Sequence, residues 1–542
     1  MLRHAPLTAL IVLALGLATP AFARDGTALP DIGSSAGQVI SPEDQQQYGE
    51  LEFRELRRLG YVLDDPLLED WLQDVGNRLV ANSNKPSLKF HFFLVRSREI
   101  NAFATLGGYV AVNAGLILTT TSEDELAGVM SHEIAHVTQD HVLRAVEAQK
   151  RDTLPIALGM LAAILVSSRS SSNSSTNATE AAIAAGTGLL AQQQINFTRD
   201  NETEADHFGI QTMARAGYDP LAMASFFNRL QAAYRNDEGY GPYKAPEFLI
   251  DHPVATTRIS DALDRARQIR NKPDDNVPIG IAVAPSSLLL PANLSVRAAE
   301  SAANAQRGRD FGWAQERLRV LTAESSGAAI TEYARLRAGN PSAFGDAQRY
   351  GLDLARMSHG EPEAALHDLQ ALSATHPDAY WLDLAIAKAE SLGGHRQEAL
   401  DHYERILRKW PRNRAVILSY ATTLGEIGTA DAGRRAQGVL RPLTTEAEDD
   451  PEFQQTFARA CELAGDTGRA GEAYATAAYL NGRAEDALNQ LEALKRRSDI
   501  DYYQRARIDA LIAQITPTVL ELRKDHVHPE DADRQQLSPS LH

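Results

Sequence analysis

The stretch SEDELAGVMSHEIAHV, residues 122–137, decides how this chain is read. Ser122, followed three residues later by Glu125, is a capping box ahead of an apolar run and predicts a helix beginning near residue 123. Leu126, Met130, Ile134 and Val137 then recur at helical spacing and mark a buried stripe. His132 lies two residues from that stripe, about 200° around the helix at ~100° per residue. The histidines therefore have a face of their own. His132 and His136, four apart, sit one above the other, where both imidazoles reach one metal ion without bending the backbone. Glu133 projects from the adjacent position and meets a water rather than the metal. Zinc lowers the pKa of such a water to roughly 7, and the glutamate takes its proton as general base. The pattern implies peptide-bond hydrolysis, or a scaffold able to perform it; the bland alternative is a solvated helix with two incidental histidines.

A catalytic zinc needs a third protein ligand and one open position. RDNETEAD, residues 199–206, opens a second helix closed by Gly217 and Pro220. Glu202 and Asp206 are again four apart on one face, the first placed to bind the metal and the second to orient a ligand imidazole. Glu204 and His207 lie in the same turns, where charged residues usually face water. Spacing alone does not separate Glu202 from Glu204.

The combination His132-Glu133-x-x-His136 and Glu202-x-x-x-Asp206 resembles the zinc peptidase superfamily that includes HtpX, Oma-type proteases and the CAAX prenyl protease. The resemblance continues upstream in Ile100-Asn101-Ala102-Phe103-Ala104 and in Gly107-Gly108-Tyr109-Val110-Ala111-Val112. It implies Glu202 as the third ligand of one zinc per chain, in a gluzincin-like α+β fold. It also implies that Gly107 to Val112 forms an edge strand beside the cleft, to which a substrate peptide adds by β-augmentation. Alternating residues after a glycine pair fit such a strand. Leu249-Ile250-Asp251-His252-Pro253 resembles the Asp/Thr-His-Pro stretch that follows the peptidase helices in related chains. His252 is either a turn histidine that titrates freely or a fourth ligand that latches the site, since four protein ligands close a zinc site.

Arg3 and His4, an apolar run from Leu7 to Leu17 and Ala21-Phe22-Ala23 read as a secretory signal peptide, residues 1–23, cleaved after Ala23. A membrane anchor would need about 20 apolar residues. The one cysteine, Cys461, leaves no intramolecular disulfide despite an oxidising destination, and a core place inside a helix is expected for it. Four Asn-x-Ser/Thr sequons lie between Asn173 and Asn201. A glycan on Asn201 would crowd Glu202, which favours a bacterial periplasm over a eukaryotic secretory route. Leu154 to Val166 also falls short of a bilayer span, and Ser167 to Ser175 reads as a mobile loop. Residues 154–190 are expected as amphipathic or buried helices around that loop; the alternative is a flap that touches membrane or nascent protein.

The peptidase unit is expected over 24–275. Beyond it Ala, Leu, Arg and Glu dominate, first in a helical connector, 276–340. Gly360, Gly394 and Gly428 are each 34 residues apart, with Gly465 next, and the pairs Ala365 and Ala399, Leu369 and Tyr403, Pro377 and Pro411 keep that register. A 34-residue period with a small residue, a large one and a closing proline is the tetratricopeptide pattern. It predicts stacked helical hairpins over 341–522, an all-α solenoid with a concave groove for protein partners. Gly433 and Ala470 hold the small position in two degenerate units, and 523–542 reads as a polar tail. The expected fold is mainly α: an α+β zinc peptidase with a small sheet, then a helical solenoid.

The formal charge of −17 over 542 residues disfavours nucleic acid and anionic lipid as partners, leaving membrane contact at most peripheral. Signal peptide, zinc peptidase and tetratricopeptide array in that order resemble a family of periplasmic proteases that assist outer-membrane β-barrel assembly. The resemblance implies a zinc-dependent endopeptidase and chaperone. Its partners would be unassembled outer-membrane β-barrel proteins, the barrel-assembly machinery and the lipopolysaccharide-transport barrel. The rival reading is a chaperone or docking scaffold whose peptidase site stays mostly shut.

Overall fold

The computed structural model describes residues 40–148, 199–237, 248, 252, 256–271 and 296–524. The signal-peptide reading over 1–23, the stretch 154–190, the sequons at Asn173, Asn177 and Asn196, and nearly all of the tail lie outside the described residues.

Helix α1 (Pro42–Arg58) is capped by Ser41, whose hydroxyl accepts from the Asp44 amide, and α2 (Pro66–Ala81) by Asp65, which accepts from Leu68. Both begin with proline, which is already set for the first helical turn and needs no N–H there. Three strands follow: β1 (His91–Val95), β2 (Ala102–Ala104) and β3 (Tyr109–Asn113). Their order in space is β1-β3-β2, with β1 parallel and β2 antiparallel to β3.

This order corrects the expectation that Gly107 to Val112 is the edge strand. Tyr109–Asn113 is the central strand, and all five of its residues are buried. Val110 and Val112 pack into the main core with Leu72 and Val75, whereas Tyr109 and Ala111 join Phe53, Leu56, Phe93 and Phe103 on the other face. Both faces of this strand are covered, and β1 supplies its second hydrogen-bonding neighbour. Gly107 and Gly108 form the turn into β3, with φ of 72° and 81°. A Cβ on Gly108 would stand 2.2 Å from the Lys89 carbonyl oxygen, so only glycine fits. Among the described residues β2 pairs with β3 alone, which makes Ala102–Ala104 an edge of the sheet.

After α3 (Ala114–Thr119), α4 (Glu123–Thr138) starts where the capping box predicts. Ser122 Oγ accepts from the Glu125 amide at 3.3 Å, and the Glu125 carboxylate reaches back to the Thr121 amide at 2.7 Å. Leu126, Met130 and Ile134 are buried as expected, but nearly every other residue of α4 is buried as well. The sheet and α2 cover one side; α6 (Arg199–Arg215) and α7 (Leu221–Asp237) cover the other. Helix α6 packs close here, since a Cβ on Gly209 would lie 3.2 Å from the His132 amide nitrogen. Helices α5 (His141–Ala148) and α8 (Thr256–Asn271) complete this half.

From α9 (Val296–Leu321) onward the elements among the described residues are all helical. Helix α10 (Ser326–Gly339) leads into the hairpins α11 (Asp346–Ser358) with α12 (Pro362–Thr375) and α13 (Tyr380–Leu392) with α14 (Arg396–Lys409). These are followed by α15 (Arg414–Ile427) with α16 (Ala430–Leu440) and α17 (Pro451–Ala464) with α18 (Thr467–Leu480). Gly360, Gly394, Gly428 and Gly465 each stand in the turn inside a hairpin, while Ala365, Leu369, Ala399 and Tyr403 are buried. Cys461 is buried in α17. Helices α19 (Ala484–Lys495) and α20 (Tyr502–Lys524) follow.

The two halves share one core. Phe311, Trp313 and Leu318 of α9 cluster with Trp71 and Leu72 of α2. Arg317 pairs with Asp65 at 2.6 Å and Arg414 with Glu69 at 2.8 Å across the same junction. No described helix is long and apolar enough to cross a membrane.

Candidate metal centre

One turn of α4 separates His132 from His136, whose rings meet edge to face with Nε2 atoms 3.0 Å apart. Glu202, from the first turn of α6, brings Oε2 to 3.4 Å from His132 Nε2 and Oε1 to 3.5 Å from His136 Nε2. His252 arrives from outside these helices: its amide donates to the Phe248 carbonyl at 2.8 Å, and its Nδ1 lies 3.4 Å from His132 Nε2 and 3.2 Å from Glu202. One ligand atom from each of these four residues falls within 4.8 Å of all the others, and all four are buried. Tetrahedral coordination at metal–nitrogen distances near 2.0–2.1 Å puts ligand atoms about 3.3 Å from one another. The spacing fits a metal ion.

Charge fits it too. Glu133, Glu202 and Asp206 are three buried carboxylates, and the Arg258 guanidinium pairs with the last two. Burial pushes the His132 imidazole down, yet Asp206 and Glu202 outweigh it and lift it to about 10. Burial also raises Glu202, but His252 and His132 hold it well below the carboxylate range. A cation is strongly favoured at this point.

Asp206 brings Oδ1 to 2.9 Å from His132 Nδ1. Arg258, which sequence reading missed, grips Asp206 with Nε and Nη2, both at 2.8 Å, and reaches Glu202 with Nη1 at 2.9 Å. Glu133 is buried, and its Oε1 lies 3.7 Å from His252 Nε2. His141 was also missed. Its Nδ1 is 2.7 Å from His136 Nδ1, and its Nε2 is 3.3 Å from Glu204 Oε2. Burial, aided by Arg144, pulls His141 down to about 4, so the ring is neutral. Glu204 and His207 stay outside the cluster: Glu204 is held by Arg144 at 2.7 Å, and His207 contacts Gln211 and Arg265.

The chain is also similar to known peptidases. The model of peptidase family M48 matches residues 66–266. The chain is 32% identical, over 94% of its own length and 95% of the relative's, to the beta-barrel assembly-enhancing protease of Escherichia coli strain K12. It is 41% identical to the beta-barrel assembly-enhancing protease of Yersinia pestis over 45% of this chain and 48% of that one. The mitochondrial metalloendopeptidase OMA1 of Schizosaccharomyces pombe is 32% identical over 35% of this chain and 50% of its own.

Proposed function

The chain belongs to peptidase family M48 and is a metallopeptidase, and we propose that it is a periplasmic zinc endopeptidase and chaperone for outer-membrane β-barrel proteins. The observation that carries the reading is the buried convergence of His132, His136 and Glu202 with Glu133 one residue from the first ligand. Zinc held by the three ligands would supply a water of pKa near 7 and polarise the scissile carbonyl. Glu133, next in sequence to His132, would take the proton of the attacking water and hand it to the leaving amine. Asp206, clamped by Arg258, keeps the His132 ring turned toward the ligand cluster.

Substrate would bind as an added strand on β2 rather than on β3. Asn101 and Thr105 exchange hydrogen bonds with Asn113 and Tyr109, so by the ladder's alternation Ala102 and Ala104 aim their backbone groups outward. The Phe248 amide donates to the Ile100 carbonyl at the start of this edge. A substrate strand and the segment that carries His252 would thus compete for one edge. That arrangement, with His252 inside the cluster, favours the second reading as a resting state: a scaffold and chaperone with a latent peptidase that client binding opens.

The helical hairpins are proposed as a tetratricopeptide array that receives clients and docks on the barrel-assembly machinery, the lipopolysaccharide-transport barrel among its clients. The 34-residue recurrence of buried small and large positions supports this. The name of the Escherichia coli relative supports the β-barrel connection. The test is complementation of a deletion strain by wild type and by Glu133→Gln. Restoration of outer-membrane integrity by both, with removal of an unassembled barrel by wild type alone, is expected. Failure of wild type to do either removes the proposal.

A further inference from the structure

We propose that His141 is a positioning residue for His136, a neutral imidazole relay that fixes the tautomer of this ligand and is itself fixed by Glu204. The inference rests on the metal reading above. An imidazole binds a metal through one lone pair, and its other nitrogen then carries the proton. His136 turns Nε2 toward His132 Nε2, 3.0 Å away, so its proton sits on Nδ1. That Nδ1 is 2.7 Å from His141 Nδ1. Two ring nitrogens at this distance share one proton, so His141 presents a bare Nδ1 and keeps its own proton on Nε2. Nε2 faces Glu204 Oε2 at 3.3 Å, and Arg144 at 2.7 Å keeps that carboxylate ionised and accepting. Donation therefore runs from His136 to His141 to Glu204. No other placement of protons satisfies all three contacts with the His136 Nε2 lone pair free.

The backbone is bent to make this contact. Asp140, a non-glycine residue with φ of 56°, reverses the chain after α4, and Lys85 holds its carboxylate at 2.8 Å. His141 then opens α5 against the last turn of α4, fully buried. The other histidine is treated differently: His132 Nδ1 faces the anion of Asp206. A neutral acceptor behind His136 fixes its geometry without adding a fourth carboxylate to a pocket that already holds Glu133, Glu202 and Asp206.

Asparagine at 141 places an amide oxygen near the position of Nδ1, and leucine fills similar space with no acceptor. The metal-free full chain and its variants are titrated with zinc alone against a chromophoric chelator, and the absorption spectrum of the cobalt-loaded form reports ligand geometry. His141→Leu is expected to weaken zinc binding by about 10–100-fold and to shift the cobalt spectrum, whereas His141→Asn stays within about threefold of wild type. Glu204→Gln is expected to weaken binding about two- to tenfold with an unchanged metal-free melting temperature. Wild-type affinity in His141→Leu overturns the proposal, as does an Asn variant as weak as the Leu one. If the Leu variant does not fold, His141→Asn and Glu204→Gln decide: loss in the first or no change in the second overturns it. A wild-type chain that binds no zinc sinks the metal reading instead, before any variant is compared.

Discussion

Nη1 of Arg258 lies 2.9 Å from Oε2 of Glu202, so the carboxylate that faces the two histidines of α4 is shared with a buried cation. The same guanidinium clamps Asp206 in a two-pronged contact. One side chain thus fixes both acids of the Glu202-x-x-x-Asp206 face. Arg258→Ala strands two buried carboxylates, and breaking such a pair costs about 3–5 kcal/mol. Arg258→Lys keeps the charge but not the planar fork and recovers only part of that. Denaturant unfolding of the three proteins, with zinc titration alongside, measures this. An Ala variant as stable as wild type would show that Arg258 is not the counter-charge.

Glu133→Gln keeps the shape of the side chain but cannot take a proton, so the variant retains zinc and loses hydrolysis. His132→Ala loses both. Metal analysis of the purified proteins beside a cleavage assay on an unfolded model protein separates the two cases. Full zinc occupancy in a His132→Ala, His136→Ala double variant would end the proposal that these residues hold the ion.

The pairing of His132 and His136 was legible because helical spacing alone places residues four apart on one face, and the capping box gave the start of α4. Glu202 and Glu204 were not separable by spacing. In the fold Glu202 is buried against both histidines, whereas Glu204 is partly exposed beside Arg144. His141 and Arg258 left no sequence signal. The first depends on a left-handed turn at Asp140, and the second on a helix 52 residues beyond Asp206 folding back over it. The central place of Tyr109–Asn113 escaped for a similar reason, since alternation reports the two faces of a strand and says nothing of its hydrogen-bonding neighbours.

His252→Ala is expected to degrade more substrate, or itself, than wild type, and only while Glu133 is present. His252 Nδ1 lies 3.2 Å from Glu202 and its Nε2 3.7 Å from Glu133, so the ring stands between the ligands and the base. Its removal leaves three protein ligands and an open position. The comparison is a time course of cleavage at matched zinc occupancy. Unchanged or slower proteolysis would return His252 to the role of a buried turn residue.

The junction between the two halves should weaken as pH rises. Arg414 pairs with Glu69 at 2.8 Å, Asp450 at 2.6 Å and Asp70 at 3.4 Å, with Glu452 at 4.0 Å, one cation among four acids. Burial lifts Glu69 to about 7, with Arg414 opposing it, and lifts Glu452 to about 8, with Glu69 adding to the rise. Asp70 is raised by burial to about 6 against the pull of Arg414. Unfolded carboxyls titrate near 4, so between that value and 8 the folded chain binds more protons than the unfolded one. Stability from these groups is therefore complete below about pH 4 and is lost as pH rises through 6 to 8. The melting temperature should fall between pH 6 and 8.5, and the fall should shrink in a Glu69→Gln, Glu452→Gln double variant, whose amides carry no charge at either pH. Differential scanning fluorimetry of both proteins across that range, in one buffer series at fixed ionic strength, supplies the slopes. Equal slopes in wild type and variant would mean that the pH dependence arises elsewhere and that the acids around Arg414 are already neutral or fully compensated.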